Sequence, residues 1–406
     1  MHVQSTANYY TYFFNYISMF NFTEQPPLSL YIHFPWCVQK CPYCDFNSHE
    51  LKKTLDEKSY INALISDLEQ ELPLFWGRNI TSIFMGGGTP SLFSPESIDQ
   101  LLSALRARLT FTPDIEITME ANPGTVEFEK FKEFNSAGIN RLSIGIQSFS
   151  DEKLQKLGRI HGRKEAIRAA ELAHDAGFNS FNLDLMYGLP NQSLPQAIDD
   201  IETAIALEPK HLSHYQLTIE PNTLFHHQPP TTPNDDNLWE MQVACQASLA
   251  KNNYAQYEIS AYAKKDYQCQ HNLNYWQFGD YLGIGAGAHG KLTNVPEQKI
   301  FRSWKVKQPQ KFLDNAATAN RISGEKILTR DDATFEFMMN ALRLNNGFET
   351  EIFQRHVGLP ISAIEEPLTQ AEDKGWVKWD IKNIQPTETG RQYLNNLLEL
   401  FMPDND

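Results

Sequence analysis

Hydrophobic and polar positions alternate with two different periods between residues 28 and 220. Short apolar runs rich in β-branched and aromatic residues predict strands, and longer stretches with apolar residues three to four apart predict helices. The predicted strands span residues 30–34, 82–85, 115–120, 141–146, 179–186 and 211–219. The predicted helices span residues 59–71, 95–108, 127–137, 163–176 and 194–207.

This alternation of strand and helix is typical of βαβ units with a parallel sheet. Six such units predict an α/β fold, a partial (β/α)6 barrel of the TIM type. A full eight-unit barrel and a doubly wound sheet are the alternatives. Several strands are followed by glycine, proline or polar residues, and barrel enzymes keep their chemistry at that end.

The pattern changes near residue 303, where short helices and a hairpin replace the strand–helix rhythm. We therefore predict a barrel over residues 28–302 and a small α+β, winged-helix-like domain over 303–406. Acidic residues outnumber basic ones in this second domain, so we expect it to pack against the barrel or a partner rather than DNA. Its predicted helices span residues 331–344, 349–357, 361–374 and 387–401, and its hairpin pairs 376–379 with 384–386.

The first 27 residues form a separate segment that is dense in aromatic side chains between residues 9 and 22. The segment lacks the basic start and the small-residue cleavage site of a signal peptide. It is either an interfacial membrane anchor or, as we favour, sequence upstream of a translation start at Met19. We expect it to be poorly ordered.

The formal net charge of −15 disfavours nucleic acids and anionic membranes as partners. No apolar run has the length of a membrane span, which leaves at most peripheral membrane contact. An acidic surface of this kind is compatible with a monomer or a weak, specific dimer. Five cysteines in 406 residues, three of them in one motif, fit the reducing cytoplasm.

Three of these cysteines, Cys37, Cys41 and Cys44, follow the first predicted strand with the spacing C-x3-C-x2-C. Three thiolates on one loop suit three irons of a [4Fe-4S] cluster and leave the fourth iron open. A zinc site is the alternative, because His33 or His49 would complete the four ligands that structural zinc requires.

Polar and glycine residues stand at the ends of the later strands. Gly87, Gly88 and Thr89 belong to a Gly-Gly-Gly-Thr-Pro run whose bare backbone lets a ligand approach closely. No P-loop lysine follows that run, so it is not a phosphate-binding loop. The other polar residues are suited to an amino acid carboxylate, an ammonium group or ribose hydroxyls, or else form an ion-pair network that steadies the barrel mouth. They are Glu120, Gln147, Arg159 and Asp184.

With these motifs the chain resembles radical S-adenosylmethionine (SAM) proteins of the coproporphyrinogen III oxidase type, from about residue 28 to its end. The resemblance implies that the open iron of the cluster binds SAM. It also implies a SAM pocket made of the motif residues and, less directly, of Thr218 and His289. The motif residues are Tyr31, Tyr43, Gly87, Gly88, Thr89, Glu120, Gln147, Arg159 and Asp184.

Two departures separate this chain from the true oxidases of that family. Phe46 stands where the oxidases carry a fourth cysteine, and His271, Asn272, Tyr275 and Trp276 match an H-N-x-x-Y-W motif. Both features resemble the HemW branch, whose members bind heme and pass it to acceptor proteins. The resemblance thus implies heme as a further cofactor and an acceptor hemoprotein as partner. It counts against coproporphyrinogen dehydrogenase activity and leaves open whether the chain is an enzyme.

The heme assignment rests on His271 as axial ligand, with Tyr275 and Trp276 as flat apolar surface. Alternatively, His271 caps a turn and both aromatic residues belong to the core. Cys269 offers a thiolate close by, and His226 with His227 is either exposed polar sequence or a weak metal site. The alternative function is an oxygen-independent coproporphyrinogen III oxidase, which would decarboxylate propionate side chains. The sequence leaves open whether SAM is cleaved or only bound.

Overall fold

The computed structural model describes residues 20–125 and 128–403. The expectations for residues 1–19, including a start at Met19, lie outside the described residues. The strands are β1 (Leu28–Phe34), β2 (Trp36–Cys37), β3 (His49–Glu50), β4 (Asn79–Gly87), β5 (Thr110–Ala121), β6 (Arg141–Gln147), β7 (Ser180–Tyr187), β8 (His211–Gln216), β9 (Ala255–Gln256), β10 (Ala261–Ala263), β11 (Asp280–Ile284), β12 (His289–Asn294), β13 (Lys299–Lys305), β14 (Ile322–Ile327), β15 (Phe348–Glu349), β16 (Val377–Trp379) and β17 (Asn383–Pro386).

Helices connect most of the parallel strands and build the C-terminal part. The α-helices are α1 (Glu57–Glu71), α2 (Pro95–Arg106), α3 (Phe128–Ala137), α4 (Asp151–Lys156), α5 (Arg163–Asp175), α6 (Leu194–Ala206), α7 (Leu224–His227), α8 (Asp235–Lys251), α9 (Gln270–Trp276), α10 (Pro309–Asn315), α11 (Arg330–Ala341), α12 (Thr350–Val357), α13 (Glu365–Asp373), α14 (Glu388–Gln392) and α15 (Leu394–Glu399). None of the helices in the described residues is long and apolar enough to cross a bilayer.

The main sheet has the strand order β14-β13-β12-β11-β1-β4-β5-β6-β7-β8-β10-β9. The run from β1 to β8 is parallel and follows chain order without reversal, which is the order of a barrel rather than of a doubly wound sheet. The sheet ends at two edge strands, β14 and β9, so the barrel is partial. The predicted partial barrel with six βα units is confirmed.

A seventh parallel strand, β11, pairs with β1 on the side away from β4. This strand is not among the six predicted βα units, because its sequence continues into a glycine-rich stretch. After β11 the chain turns back through three antiparallel strands, so the main sheet continues to Ile327. The predicted domain boundary at residue 302 falls within β13, and the division into 28–302 and 303–406 stays a prediction.

Alternation along each parallel strand separates two faces of the sheet. One face carries buried aliphatic residues that pack under the helices, such as Leu30, Ile83, Ile117, Leu142 and Leu183. The opposite face carries mostly polar side chains and lines the inside of the barrel. The sequence pattern of the strands thus creates an apolar outer layer and a polar interior.

A second hydrophobic cluster holds the C-terminal helices and the sheet β15-β17-β16 together. The predicted hairpin is present as β16 and β17, while the predicted last helix is split at Tyr393 into α14 and α15. Residues 20–27, which we placed in the poorly ordered segment, pack against this cluster. Phe20 and Phe22 are buried in it, and the Asn21 N–H donates to the Gly358 carbonyl at 2.8 Å.

Candidate functional site

The interior of the barrel contains a cavity of about 540 Å³, a size typical of small-molecule sites. It extends from the cysteine loop at the carboxyl ends of the strands to helix α9. Its lining residues come from the inward faces of five strands, from the cysteine loop, from the α4–α5 connection and from α9. They include Cys37, Cys41, Tyr43, Cys44, Gly87, Gly88, Thr89, Glu120, Arg141, Ser143, Gln147, Arg159, Asn182, Asp184, His211, Ser213, Tyr215, Asn272 and Trp276.

The loop between β2 and β3 brings all three predicted cysteines to this cavity. Each side chain is half-buried, and the Cys44 N–H donates to the Cys41 carbonyl at 3.1 Å. Polar groups already contact the sulfurs: the Ser48 hydroxyl lies 3.4 Å from Cys44 Sγ, and Arg159 Nη1 lies 3.6 Å from Cys41 Sγ. Such contacts stabilise thiolates and tune the potential of a cluster.

Burial raises the pKa of the thiols of Cys37 and Cys44. Both thiols therefore stay protonated near neutral pH until a metal replaces the proton. Within residues 20–125 and 128–403, no three His, Cys, Asp or Glu side chains are arranged around a single metal ion. A four-iron cluster does not require that arrangement, because each cysteine binds a different iron. His33 lies elsewhere: Tyr31 Oη is 3.1 Å from its Nδ1, and the Asn47 carbonyl is 2.8 Å from its Nε2.

Asn47 fixes the far end of the cysteine loop. Its amide Nδ2 donates to the carbonyls of Ala286 and Lys307, each at 2.9 Å, and its own carbonyl contacts His33. The loop is therefore tied to β1 and to the chain segments flanking β12 and β13, which holds the cysteines at a fixed position above the cavity.

Close packing at the end of β4 leaves no room for side chains on the glycine run. A Cβ on Gly88 would lie 2.5 Å from the Trp36 carbonyl oxygen, and a Cβ on Gly87 would lie 2.3 Å from the ring of His33. Gly87 also has a φ of +106°, which disfavours any other residue. The Gly88 N–H donates to the Phe34 carbonyl at 2.7 Å, so the run joins β4 to the start of the cysteine loop.

Two acidic side chains face each other across the middle of the cavity. The Glu120 carboxylate accepts a hydrogen bond from the Gly87 N–H at 3.0 Å. Withdrawal from water, followed by the nearby charge of Asp184, raises the pKa of Glu120 to about 8. Burial also raises the pKa of Asp184, whose oxygens accept hydrogen bonds from Ser143 at 2.9 Å and Asn182 at 2.7 Å. A cationic ligand group between them would restore both negative charges.

Gln147 is held in an unusual backbone conformation, with a φ of +71°, at a register shift in β6. Its side-chain oxygen accepts a hydrogen bond from Tyr215 Oη at 2.7 Å. Strained residues of this kind cluster at functional sites, because the surrounding structure must enforce the conformation. In this conformation the side-chain amide of Gln147 lines the cavity together with Arg159.

Helix α9 forms the floor of the cavity. Its first N–H groups, those of Gln270 and His271, donate to the Glu116 carboxylate of β5 at 3.2 and 3.1 Å. Nδ1 of His271 lies 3.0 Å from the hydroxyl of Ser82 on β4. The His271 ring is buried, and burial lowers its pKa to about 3, so the imidazole is neutral. Its Nε2 has no hydrogen-bond partner.

Comparisons with known proteins show the family of the chain. Residues 31–204 match the model of the radical SAM superfamily, and residues 328–393 match the HemN C-terminal domain. The heme chaperone HemW of Escherichia coli is 51% identical over 379 residues, which cover 93% of this chain and 99% of that protein. The chain belongs to the HemW family.

Other HemW proteins are similar over the same extent. The heme chaperone HemW of Haemophilus influenzae is 51% identical over 383 residues, and that of Bacillus subtilis is 32% identical over 388 residues. Among solved structures, coproporphyrinogen III oxidase (HemN) of Escherichia coli, a radical SAM enzyme, shares the fold with a TM-score of 0.78. It covers 93% of this chain and 90% of its own at 24% identity.

Most residues predicted from the resemblance meet at one cavity in this HemW-family chain. Three of these residues, Tyr31, Thr218 and His289, do not line the cavity. Tyr31 lies on β1, Thr218 is exposed after the end of β8, and His289 is exposed and stacks with Trp304. Of the HemW motif, Trp276 and Asn272 line the cavity, whereas His271 and Tyr275 pack against each other beside it.

Several lining residues were missed from the sequence. Arg141, Ser143, Asn182, His211 and Ser213 stand at alternate positions of β6, β7 and β8, in phase with Gln147 and Asp184. This alternation of polar residues within otherwise buried strands was the available signal. The strand ends alone do not give these residues, because a polar barrel interior places side chains along the whole strand.

Proposed function

We propose that this chain is a heme chaperone: it binds heme and transfers it to an acceptor hemoprotein. The observation that carries the proposal is 51% identity over nearly the whole length of two proteins named heme chaperone HemW. The acidic, thiol-containing chain suits the cytoplasm, where cysteines stay reduced.

We infer that Cys37, Cys41 and Cys44 hold a [4Fe-4S] cluster. Support comes from the arrangement of the three thiols around one cavity and from the donors that contact two of the sulfurs. When bound, such a cluster supplies one iron with an open coordination position. The chain itself fixes the loop through Asn47 and keeps the cysteines next to the glycine run.

We infer that SAM occupies the cavity below the cysteine loop. Glu120 and Asp184 are placed to pair with its ammonium and hydroxyl groups, and the Arg159 guanidinium is placed for its carboxylate. Tyr43, Gln147 and the backbone around Gly87 to Thr89 enclose the same space. We do not assign direct SAM contacts to Tyr31, Thr218 and His289, because they do not line the cavity.

For heme we propose His271 as the axial ligand, with Tyr275 and Trp276 beside it. The neutral imidazole is the ligating form, and its Nε2 donates and accepts no hydrogen bond. The ring is 1% exposed and packs 5.1 Å from Phe84. Ligation at His271 therefore requires α9 to move away from β1 and β4 when heme enters.

A second candidate function is oxidative decarboxylation of coproporphyrinogen III. The cavity favours it, because SAM-binding residues adjoin the cysteine loop as they would in a radical enzyme. Phe46 counts against it: this side chain is 64% exposed at the cavity rim, in the position of the fourth cysteine of the oxidases.

One experiment separates the two functions. The cluster is reconstituted anaerobically, and the protein is supplied with coproporphyrinogen III, SAM and a reductant while a parallel sample is titrated with heme. The chaperone proposal predicts saturable heme binding without decarboxylation. Formation of protoporphyrinogen would overturn it in favour of the oxidase.

A further inference from the structure

The floor of the cavity contains a buried cation with incomplete pairing. Arg141 of β6 is 3% exposed and lines the cavity. Its Nη1 reaches Thr118 Oγ1 only at 3.5 Å, and its Nε donates no hydrogen bond. A guanidinium carries five N–H groups, and leaving them unpaired in a buried position costs free energy.

The nearest carboxylate does not satisfy Arg141. Glu116 Oε2 lies 3.8 Å from Arg141 Nε, beyond hydrogen-bond distance. The oxygens of Glu116 instead accept the N–H groups of Gln270 and His271, and the Cys269 thiol lies 3.5 Å from Oε1. Since Glu116 caps helix α9, it cannot turn toward the guanidinium without leaving the helix end unpaired.

A second unpaired donor lies on the same floor. Trp276 lines the cavity with Arg141, and its indole Nε1 is buried without a hydrogen-bond partner. The indole ring also packs against the guanidinium of Arg343, whose Cζ lies 4.3 Å from the ring centroid. Asn272, one helical turn earlier on α9, adds a side-chain amide to this surface.

We propose that Arg141, Trp276 and Asn272 form a binding site for the carboxylate of a ligand, an alkyl carboxylate of the propionate type. A planar carboxylate can accept two parallel hydrogen bonds from a guanidinium and a further one from an indole. It also adds a negative charge beside a buried cation whose nearest carboxylate, Glu116, stays at 3.8 Å.

The assignment of this carboxylate to a heme propionate rests on the proposed function. With this assignment, different residues of the H-N-x-x-Y-W motif on α9 have different roles. Asn272 and Trp276 face the carboxylate, while His271, which contacts Ser82 when no heme is bound, is the proposed ligand of the iron. The site itself does not depend on heme, since a free short-chain carboxylate has the same chemistry.

The first test uses a probe without a porphyrin. Fluorine NMR of 3,3,3-trifluoropropionate is recorded with increasing amounts of the full-length protein. We expect saturable broadening that is lost in Arg141→Gln and retained in Arg168→Gln, a matched charge loss on the outer surface of α5. Trp276→Phe keeps the ring but removes the N–H, and should weaken binding about 2- to 10-fold.

Equal broadening in the wild type and Arg141→Gln, or none in either, would overturn the site. Because Arg141→Gln removes a buried charge 3.8 Å from Glu116, urea unfolding of each variant is measured alongside. If Arg141→Gln does not fold, Trp276→Phe decides: unchanged broadening in that variant would equally overturn the site.

The second test compares heme with its dimethyl ester by absorbance titration. We expect the wild type to bind heme about 10- to 100-fold more tightly than the ester, and Arg141→Gln to bind both equally. If the wild type binds heme and the dimethyl ester equally, the propionate assignment is overturned, but heme binding itself is not. Absence of heme binding would overturn the proposed function, while the fluorine experiment still decides the carboxylate site.

Discussion

Ser82 and His271 are joined by a buried contact of 3.0 Å between the serine hydroxyl and Nδ1 of the imidazole. The contact connects the inward face of strand β4 to helix α9, which are separated by 189 positions in the chain. It places the histidine of the H-N-x-x-Y-W motif inside the barrel instead of on the surface. The motif is thus part of the same interior as the cavity.

Replacing Ser82 by alanine should remove the partner of a fully buried imidazole nitrogen. We expect the free energy of unfolding to fall by about 1–3 kcal/mol, measured by urea titration. Ser136→Ala is the control, because the Ser136 hydroxyl is exposed and bonds only to its own helix, so the change should stay within about 0.5 kcal/mol. A similar loss in both variants would show that the contact does not hold α9.

Gly87→Ala should damage both the fold and the cysteine loop. Gly177→Ala is a matched control: its φ of +83° is as unfavourable for alanine as that of Gly87, but no atom lies within 4 Å of its Cβ. We expect about 1–2 kcal/mol of destabilisation for Gly177→Ala and a further 1–3 kcal/mol for Gly87→Ala, whose Cβ would strike the His33 ring.

Iron content after reconstitution should distinguish these glycine variants as well. His33 contacts Asn47 at the end of the cysteine loop, so its displacement should lower the iron bound per chain in Gly87→Ala only. Equal iron content in the two variants would contradict the role assigned to the glycine run.

Particular residues show why the sequence predicted some parts of this fold and site. The strands around Ile83 and Ile144 were predictable because apolar runs of that length alternate with helical spacing. The parallel pairing of β11 with β1 was not predictable, because the residues after Leu282 are mainly glycine and alanine, which carry little strand signal. The cysteine loop was predictable because the ligand spacing is local.

The floor of the cavity depends on contacts that are not local. Arg141 meets α9 through Glu116, across more than 120 positions, and no spacing rule predicts that approach. The orientation of His271 was likewise unpredictable, because a motif specifies residues and not the side of the helix that packs inward. Its burial follows from the tertiary contact with Ser82.

The stability of the ligand-free protein should depend on Glu120 as pH changes. Its folded pKa of about 8 is above the value near 4.3 of an unfolded glutamate, so the folded state holds the proton more tightly. The stabilisation is complete below about pH 4 and is lost as pH rises through 8. Glu120→Gln should remove this trend, which amounts to at most about 1.4 kcal/mol per pH unit.

Binding of SAM should then release a proton from Glu120. An ammonium group next to the carboxylate lowers its pKa, so calorimetry near pH 7 in buffers of different ionisation enthalpy should show a release that approaches one proton. Glu120→Gln should show none. Proton release that is the same in both proteins would exclude Glu120 as a partner of the ammonium.

Removal of one cysteine of the loop should abolish the cluster. We expect Cys41→Ala to lose the broad cluster absorbance and most of its iron after reconstitution. Cys245→Ala provides the control, since this thiol is buried in α8, does not line the cavity, and has its pKa raised by burial to about 12. Full iron content in Cys41→Ala would contradict the assignment of the three ligands.

Transfer of heme to an acceptor measures the proposed function itself. The reconstituted protein is loaded with one equivalent of heme and mixed with an apo-hemoprotein, and the absorbance of the acceptor is followed with time. We expect the acceptor to acquire its holo spectrum while this protein loses its own, and we expect His271→Ala, which should bind heme weakly, to transfer little. Retention of all heme by the wild-type protein, or failure to load it, would contradict the function of a heme chaperone.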